Sequence, residues 1–437
     1  DGQKPNYSLE RSRSTSFFMN VNYSFMNRYL MDFNVRSDGT SKFGANKRFS
    51  TTWSVGLAWN IHNEEFMKSL GLFTNFKIRA SVGNPGNQNF DAYQAMKIYK
   101  YNVELQNMFG SSAIIDQFGN KDLDWQRTLD KNIGVDISML RNRIRVTLDY
   151  YYKDTDPLLI SVPMPPSVGV GSINANAGRQ LSWGWNGSIF GTVIQKQDMS
   201  WTLNMNFRTS KSEYRDIGDK LNEFNELGSA QSLVRYYEGA SPDDMWAVPS
   251  LGIDPATGAE MFRKKDGSQT FIYSTADEVV VGCSRPDVEG VIGSSFYYKG
   301  FSASVNFRYR LGGEVMASAL YSKVENISEE QIYYNQDKRA LHDRWKQPGD
   351  KAKFKSIKDT SPTPMSSRFV RTENTFSGES ISMGYESSAA WIKKIGAEGV
   401  TFRAYMNDIF RVSSFKEERG TDYPFARTVS FSLSLRF

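Results

Sequence analysis

The last ten residues, Thr428 to Phe437, read TVSFSLSLRF. Val429, Phe431, Leu433, Leu435 and Phe437 are apolar, and Ser430, Ser432, Ser434 and Arg436 between them are polar. Successive side chains on a strand point to opposite faces, so this segment has one apolar and one wet face. The edge of a soluble sheet has that pattern. So does a strand in a membrane barrel, with lipid on one side and water or polar filling on the other.

The same alternation recurs upstream. Phe17, Met19, Val21, Tyr23 and Phe25 share one face, as do Tyr29, Met31, Phe33 and Val35. Trp53, Val55, Leu57, Trp59 and Ile61 follow, then Phe76, Ile78, Ala80 and Val82. Ile133 to Met139, Ile144 to Tyr152, Trp183 to Val193, Trp201 to Phe207 and Phe301 to Tyr309 repeat it. Weaker examples lie near 293–299, 380–388 and 400–409. The pattern predicts about thirteen strands of roughly nine to thirteen residues, the length that crosses a bilayer at a tilt. Helical periodicity is confined to short pieces around Ser328–Lys346, so the expected class is all-β.

The links between strands separate a soluble sheet from a membrane barrel. With Phe437 at the periplasmic face and the strands walked backwards, short links fall on one side: Met26–Arg28, His62–Asn75, Leu140–Asn142, Gln195–Met199, Lys299–Gly300 and Ala389–Gly399. Long links fall on the other: Asp38–Arg48, Asn84–Thr128, Asp154–Leu181, Ser212–Ile292, Leu311–Glu379 and Arg411–Arg427. Short periplasmic turns and long outer loops define an outer-membrane barrel. Thirteen is an odd number, and an open edge in lipid leaves backbone groups unsatisfied. The whole chain, residues 1–437, is therefore expected to be the C-terminal part of a larger antiparallel transmembrane β-barrel.

Composition agrees with that class and excludes others. Apolar residues make up 39% and aromatics 14% of the 437 residues, and mean hydropathy is -0.51. No run approaches the roughly 18 apolar residues of a membrane-spanning helix. Fifty-three Lys plus Arg against 48 Asp plus Glu give +5, with no basic stripe of the kind that grips nucleic acid. Cys283 is alone, which rules out an internal disulfide and a paired-cysteine metal knuckle. His62 and His342 are far apart in sequence, so no metal site or catalytic triad is expected. Gly83, Gly86 and Asn87 lack P-loop spacing and a following helix. Asp254–Gly258, DPATG, reads as a type I turn rather than a calcium loop, and Asp266-Gly267 as a hairpin turn. Glu417 and Glu418 point apart on an extended chain, which argues against a glycosidase pair. Neither enzyme chemistry nor a cofactor is expected.

Several stretches, in order, resemble the SusC/RagA group of TonB-dependent outer-membrane transporters of Bacteroidetes. They are SDGTSKFGANKRF (from Ser37), WSVGLAWNIHNEEFMK (from Trp53) and FKIRASVGNPGNQ (from Phe76). DWQRTLDKNIGVDISMLRNRIRVTLDYYYKDTDPLL, GIDPATGAEMF, YKGFSASVNFRYRLGG, RWKQPGD and the final NDIFRVSSFKEERGTDYPFARTVSFSLSLRF continue the series. The resemblance implies a barrel of about 22 strands with an N-terminal plug, so that about thirteen of them lie here. It also implies TonB-dependent import of a large nutrient, an oligosaccharide or oligopeptide, energised through TonB-ExbB-ExbD. A SusD-like surface lipoprotein would form the lid, and transporter–lid pairs would be able to dimerise. A passive porin or a barrel-anchored adhesin is the alternative, and a soluble carbohydrate-binding β protein a more distant one.

Within that frame, aromatics of the long loops are candidate substrate contacts: Trp246 in one, and Tyr333, Tyr334 and Trp345 in another. Exposed rings stack on sugars or grip peptides, and would also meet a lid; packing within the loops is the plain alternative. Trp53, Trp59, Trp183 and Tyr150 belong instead to the girdle at the lipid interface. The opening stretch also gains a role. Phe431, Leu433, Leu435 and Phe437 resemble the terminal signal read by the barrel-assembly machinery.

Overall fold

The computed structural model describes residues 11–41, 49–85, 97–108, 110–118, 126–163, 169–170, 172–176, 178–217, 225, 232–394, 396–415 and 426–437. Gly86, Asn87, Glu417 and Glu418 lie outside them.

Thirteen strands follow one another along a single antiparallel sheet, and a short fourteenth, Lys211–Arg215, pairs with Arg179–Trp183 off that path. The thirteen are β1 (Ser14–Phe25), β2 (Tyr29–Thr40), β3 (Phe49–Asn60), β4 (Phe73–Asn84), β5 (Thr128–Met139), β6 (Ile144–Thr155) and β7 (Arg179–Lys196). The series continues with β8 (Met199–Arg208), β9 (Val288–Tyr298), β10 (Phe301–Leu311), β11 (Thr375–Ser387), β12 (Gly399–Ser413) and β13 (Val429–Arg436). The weak segments near 380–388 and 400–409 are longer here than their alternation reveals, because irregularities at Glu379 in β11 and at Asp408 and Ile409 in β12 interrupt the two-residue period. Among the described residues, β1 and β13 each have one edge without a partner strand in this sheet.

Register keeps every apolar row on one face. Phe431 lies opposite Ala404, Met383 opposite Ala404 on the next strand, and Val21 opposite Phe33. These rows are uncovered: Phe431 is 69% and Leu433 67% exposed. An apolar face of that extent has to meet lipid rather than water. Rings cluster near both ends of the strands. Tyr29 and Trp59 stack at 6.4 Å near the short links, and Phe307 and Phe376 at 5.5 Å near the long ones.

Links 26–28, 61–72, 140–143, 197–198, 299–300 and 388–398 fall on one side and most are short, as the alternation predicts, although 61–72 and 388–398 are longer than the 41–48 link on the other side. Their tightness is built from left-handed backbone. Lys299 and Gly300 have φ of 44° and 87°, the pair of values a two-residue hairpin turn demands. A Cβ on Gly300 would also sit 2.3 Å from the Glu386 carbonyl oxygen. No helix of the described residues is long and apolar enough to cross a membrane.

The long links hold structure that alternation did not reveal. Residues 232–287 and 312–374 fold together as a cap with small sheets: Asp244–Ala247 with Val279–Cys283, Ser250–Ile253 with Glu260–Arg263 and Gln269–Thr270, and Glu314–Met316 with Val370–Thr372. The expected short helices around Ser328–Lys346 appear as Glu330–Tyr333 and Arg339–His342, and Leu320–Glu325 adds a π-helical turn upstream. Much of the buried apolar surface lies here: Ala247, Val248, Phe262, Val324 and Phe369 are almost fully covered. Val324, Ala340 and Phe354 form one cluster. The wall faces lipid; the cap has an interior.

Candidate functional site

The polar face of the sheet carries a network of charges. Arg79 on β4 donates to Asp136 on β5 at 2.8 and 3.1 Å, and to Asp149 on β6 at 3.1 Å. Gly134 is opposite both Arg79 and Asp149 in the ladder. A Cβ there would come within 2.2 Å of Asp149 Oδ1, so the missing side chain is what lets the guanidinium bridge three strands. Lys153 reaches Asp130 at 3.3 Å, Arg36 reaches Asp38 at 2.8 Å, and Arg308 reaches Glu379 at 2.5 Å. Glu373, just before β11, takes Arg411 at 2.6 Å and Arg310 at 3.4 Å.

Towards the long-link end, β2 to β8 enclose a concave basin of about 810 Å3. Asn34, Thr52, Ser81, Asn132, Lys153 and Arg208 are among its lining residues. Most of its lining residues are polar, with Trp53, Val82 and Pro85 among them, as suits a face turned to water or to a hydrogen-bonding solute. Tyr151 stands at the rim, donating to Ser210 Oγ at 2.7 Å, and Arg285 of the cap donates to the same hydroxyl at 2.5 Å. Wall and cap are thus joined at one serine.

Buried ion pairs hold the cap. Arg235 and Glu278, 1% and 2% exposed, meet in a two-pronged bond of 2.7 and 2.6 Å, and Tyr273 adds its hydroxyl to Glu278 at 3.2 Å. Burial and the adjoining Glu278 push the Tyr273 hydroxyl well above its usual range. Arg368 bridges Glu260 and Glu325, both at 2.8 Å, tying the two halves of the cap together. Burial alone would lower Arg368; the two carboxylates outweigh it and raise the group above its ordinary value. Lys355, buried beside them, is pushed down by desolvation.

The aromatic candidates divide. Trp246 is half-buried in the cap, its ring 4.7 Å from that of Tyr237. Trp345 donates from Nε1 to the Pro255 carbonyl at 2.9 Å and lies over Gly258, so it braces the DPATG turn. Tyr333 and Tyr334 are 85% and 70% exposed at the cap surface. Phe431, Leu433 and Leu435 lie in β13 on the lipid face, with Phe437 just beyond it. Neither the Arg79 network nor the Arg235 pair was singled out in the sequence. The first had a signal, since Arg79, Asp136 and Asp149 all occupy polar positions of alternating strands.

An open antiparallel wall, apolar outside and charged inside, with short turns at one end and a folded cap at the other, defines a transmembrane β-barrel wall. The family model described as TonB dependent receptor-like, beta-barrel matches residues 1–237, and the chain belongs to that family. It is similar to the TonB-dependent receptor SusC of Bacteroides thetaiotaomicron, 27% identical over 98% of this chain and 44% of that protein. A TonB-dependent receptor of Formosa agariphila is 25% identical over 92% of the chain and 43% of its own length. Among solved structures, the RagAB peptide transporter superposes with a TM-score of 0.76 at 22% identity, covering 92% of this chain and 44% of that one. The chain spans less than half the length of these relatives. It is an outer-membrane protein that crosses the bilayer with strands.

Proposed function

We propose that the protein takes part in TonB-dependent import of a large nutrient, an oligosaccharide or oligopeptide, across the outer membrane. The observation that carries this reading is the polar basin on the inner wall beneath a folded cap, in a chain of this family. The basin's hydroxyls, amides and paired charges offer many hydrogen bonds and no reaction centre. Residues 1–437 would supply the C-terminal part of the barrel. The remaining strands would cover the open edges of β1 and β13, whose backbone groups cannot stay unpaired in lipid. A plug in that remaining part would occupy the lumen and contact TonB-ExbB-ExbD. The likeness to SusC supports a SusD-like lipoprotein as lid, and dimers of transporter–lid pairs. Exposed Tyr333 and Tyr334 are the cap residues best placed to meet solute or lid; Trp246 and Trp345 would act by shaping the cap. The barrel-assembly machinery would read the end of β13.

Uptake of labelled oligosaccharide and oligopeptide mixtures tests this in the native host, with and without the gene and with and without TonB. Import lost in both deletions supports the reading. Import that needs the gene but continues without TonB identifies a passive porin. Surface binding with no import identifies an adhesin.

A further inference from the structure

Beside the basin, where the wall meets the cap, lies a second hollow of about 440 Å3. Three guanidinium groups reach it from three different elements: Arg208 at the end of β8, Arg310 near the end of β10, and Arg285 on the return from the cap. Two carboxylates also line it, Asp243 and Glu289. Asp243 is committed, accepting from Arg285 Nε at 2.6 Å and from Ser212 Oγ at 3.2 Å. Glu289 lies between Arg208 and Arg310 in the ladder, opposite each. Glu373 also reaches Arg310 at 3.4 Å but is shared with Arg411 at 2.6 Å, so four cations face the three anions Asp243, Glu289 and Glu373 and one positive charge is left over.

The donors are under-used. Arg208 has no hydrogen-bond or ion-pair partner among the described residues, and it is exposed. Arg310 donates to the Ser284 carbonyl at 2.5 Å and at 3.4 Å to Glu373, yet its Nε is buried with no partner. A buried donor without an acceptor costs free energy, and a planar oxyanion is the natural acceptor for guanidinium forks. Ser210 and Ser284 add hydroxyls to the lining, and Arg208, Ser210 and Arg285 line the basin as well as the hollow. A group arriving along the inner wall meets this hollow directly.

We infer that the convergence of Arg208, Arg285 and Arg310 at the junction of wall and cap is a subsite for a carboxylate carried by the imported solute. The inference deepens the import reading and rests on it. It narrows the solute to one bearing a carboxylate, whether a uronate sugar or a peptide terminus or acidic side chain. Glu289, opposite both Arg208 and Arg310 in the ladder, lowers the positive charge of the site without occupying either guanidinium, which keeps an anion's hold on it releasable.

Titration calorimetry on the full-length protein in detergent tests the inference with two matched probe pairs. One pair is an oligogalacturonate and its methyl ester; the other is an acetylated hexapeptide with a free C-terminal carboxylate and the same peptide amidated. At least one carboxylate probe is expected to bind about tenfold or more tightly than its neutral partner, with an advantage that shrinks as salt rises. Which pair responds tells a sugar acid from a peptide. Arg208→Gln should weaken the carboxylate probe about tenfold more than its neutral partner, while Arg208→Lys should keep part of the advantage. Arg208 is exposed on the wall, and heat-modifiable migration checks that each variant is folded. Equal binding of charged and neutral probes in the wild type overturns the subsite, as does absence of binding by both pairs or an equal loss for both forms in Arg208→Gln. Failure of the import reading has a different signature, namely TonB-independent entry with the carboxylate advantage intact.

Discussion

At Gly134 the absence of a side chain organises the inner wall. Arg79 crosses it to reach Asp149 on the far side while holding Asp136 on the near side. One guanidinium thereby fastens three neighbouring strands on the face away from lipid. Phe437 works at the opposite extreme, contributing little to packing. It is 78% exposed, and complete burial of such a ring contributes only about 2 kcal/mol. A large effect of changing it must therefore arise during insertion rather than from lost stability. For Phe437→Ser in the full-length protein, we expect a reduced amount of heat-modifiable protein in the outer membrane. The molecules that do insert should melt as the wild type does. Equal folded yields would remove the assembly role of the terminal ring.

At the scale of elements, segregation of short from long links fixes orientation. Single cysteines at Gly267 and Lys351 lie on exposed positions of the cap, and one at Lys394 on the exposed short link between β11 and β12. An impermeant maleimide added to intact cells should label the first two and spare the third once Cys283 is replaced by Ser. The opposite pattern would invert the wall. The strands themselves were legible in the sequence because lipid imposes an unbroken apolar row on one face. Irregularities in β11 and β12 hid their ends by resetting that row. The cap was illegible for a physical reason too. Asp244–Ala247 and Glu260–Arg263 are four residues each, too short to show a period, and both faces of such pieces are packed or partly covered. Trp345 could not be told from a free ligand-binding ring by its neighbours in sequence, since its partner Pro255 is 90 residues away.

For the molecule as a whole, wall and cap draw their stability from different sources. The wall relies on ladder hydrogen bonds and lipid, whereas the cap relies on a small core and on buried ion pairs. Arg235→Met isolates the second source. It leaves Glu278 as an uncompensated buried charge, a loss of about 3–5 kcal/mol. We expect limited proteolysis to cut within 232–287 in this variant at a protease level that spares the wild type. The wall should still resist unfolding in detergent at room temperature. If cap and wall are lost together, they form a single cooperative unit, and the division drawn here fails.

The Arg368 bridge between Glu260 and Glu325 has a consequence for how the molecule is made. Its partners belong to cap segments separated in the chain by the hairpin of β9 and β10. Neither segment can complete the bridge until both have been delivered to the same side of the bilayer, and that happens only after the intervening hairpin has taken its place. Closure of the cap is therefore a report, written at the cell surface, that this stretch of wall has been laid in the right order.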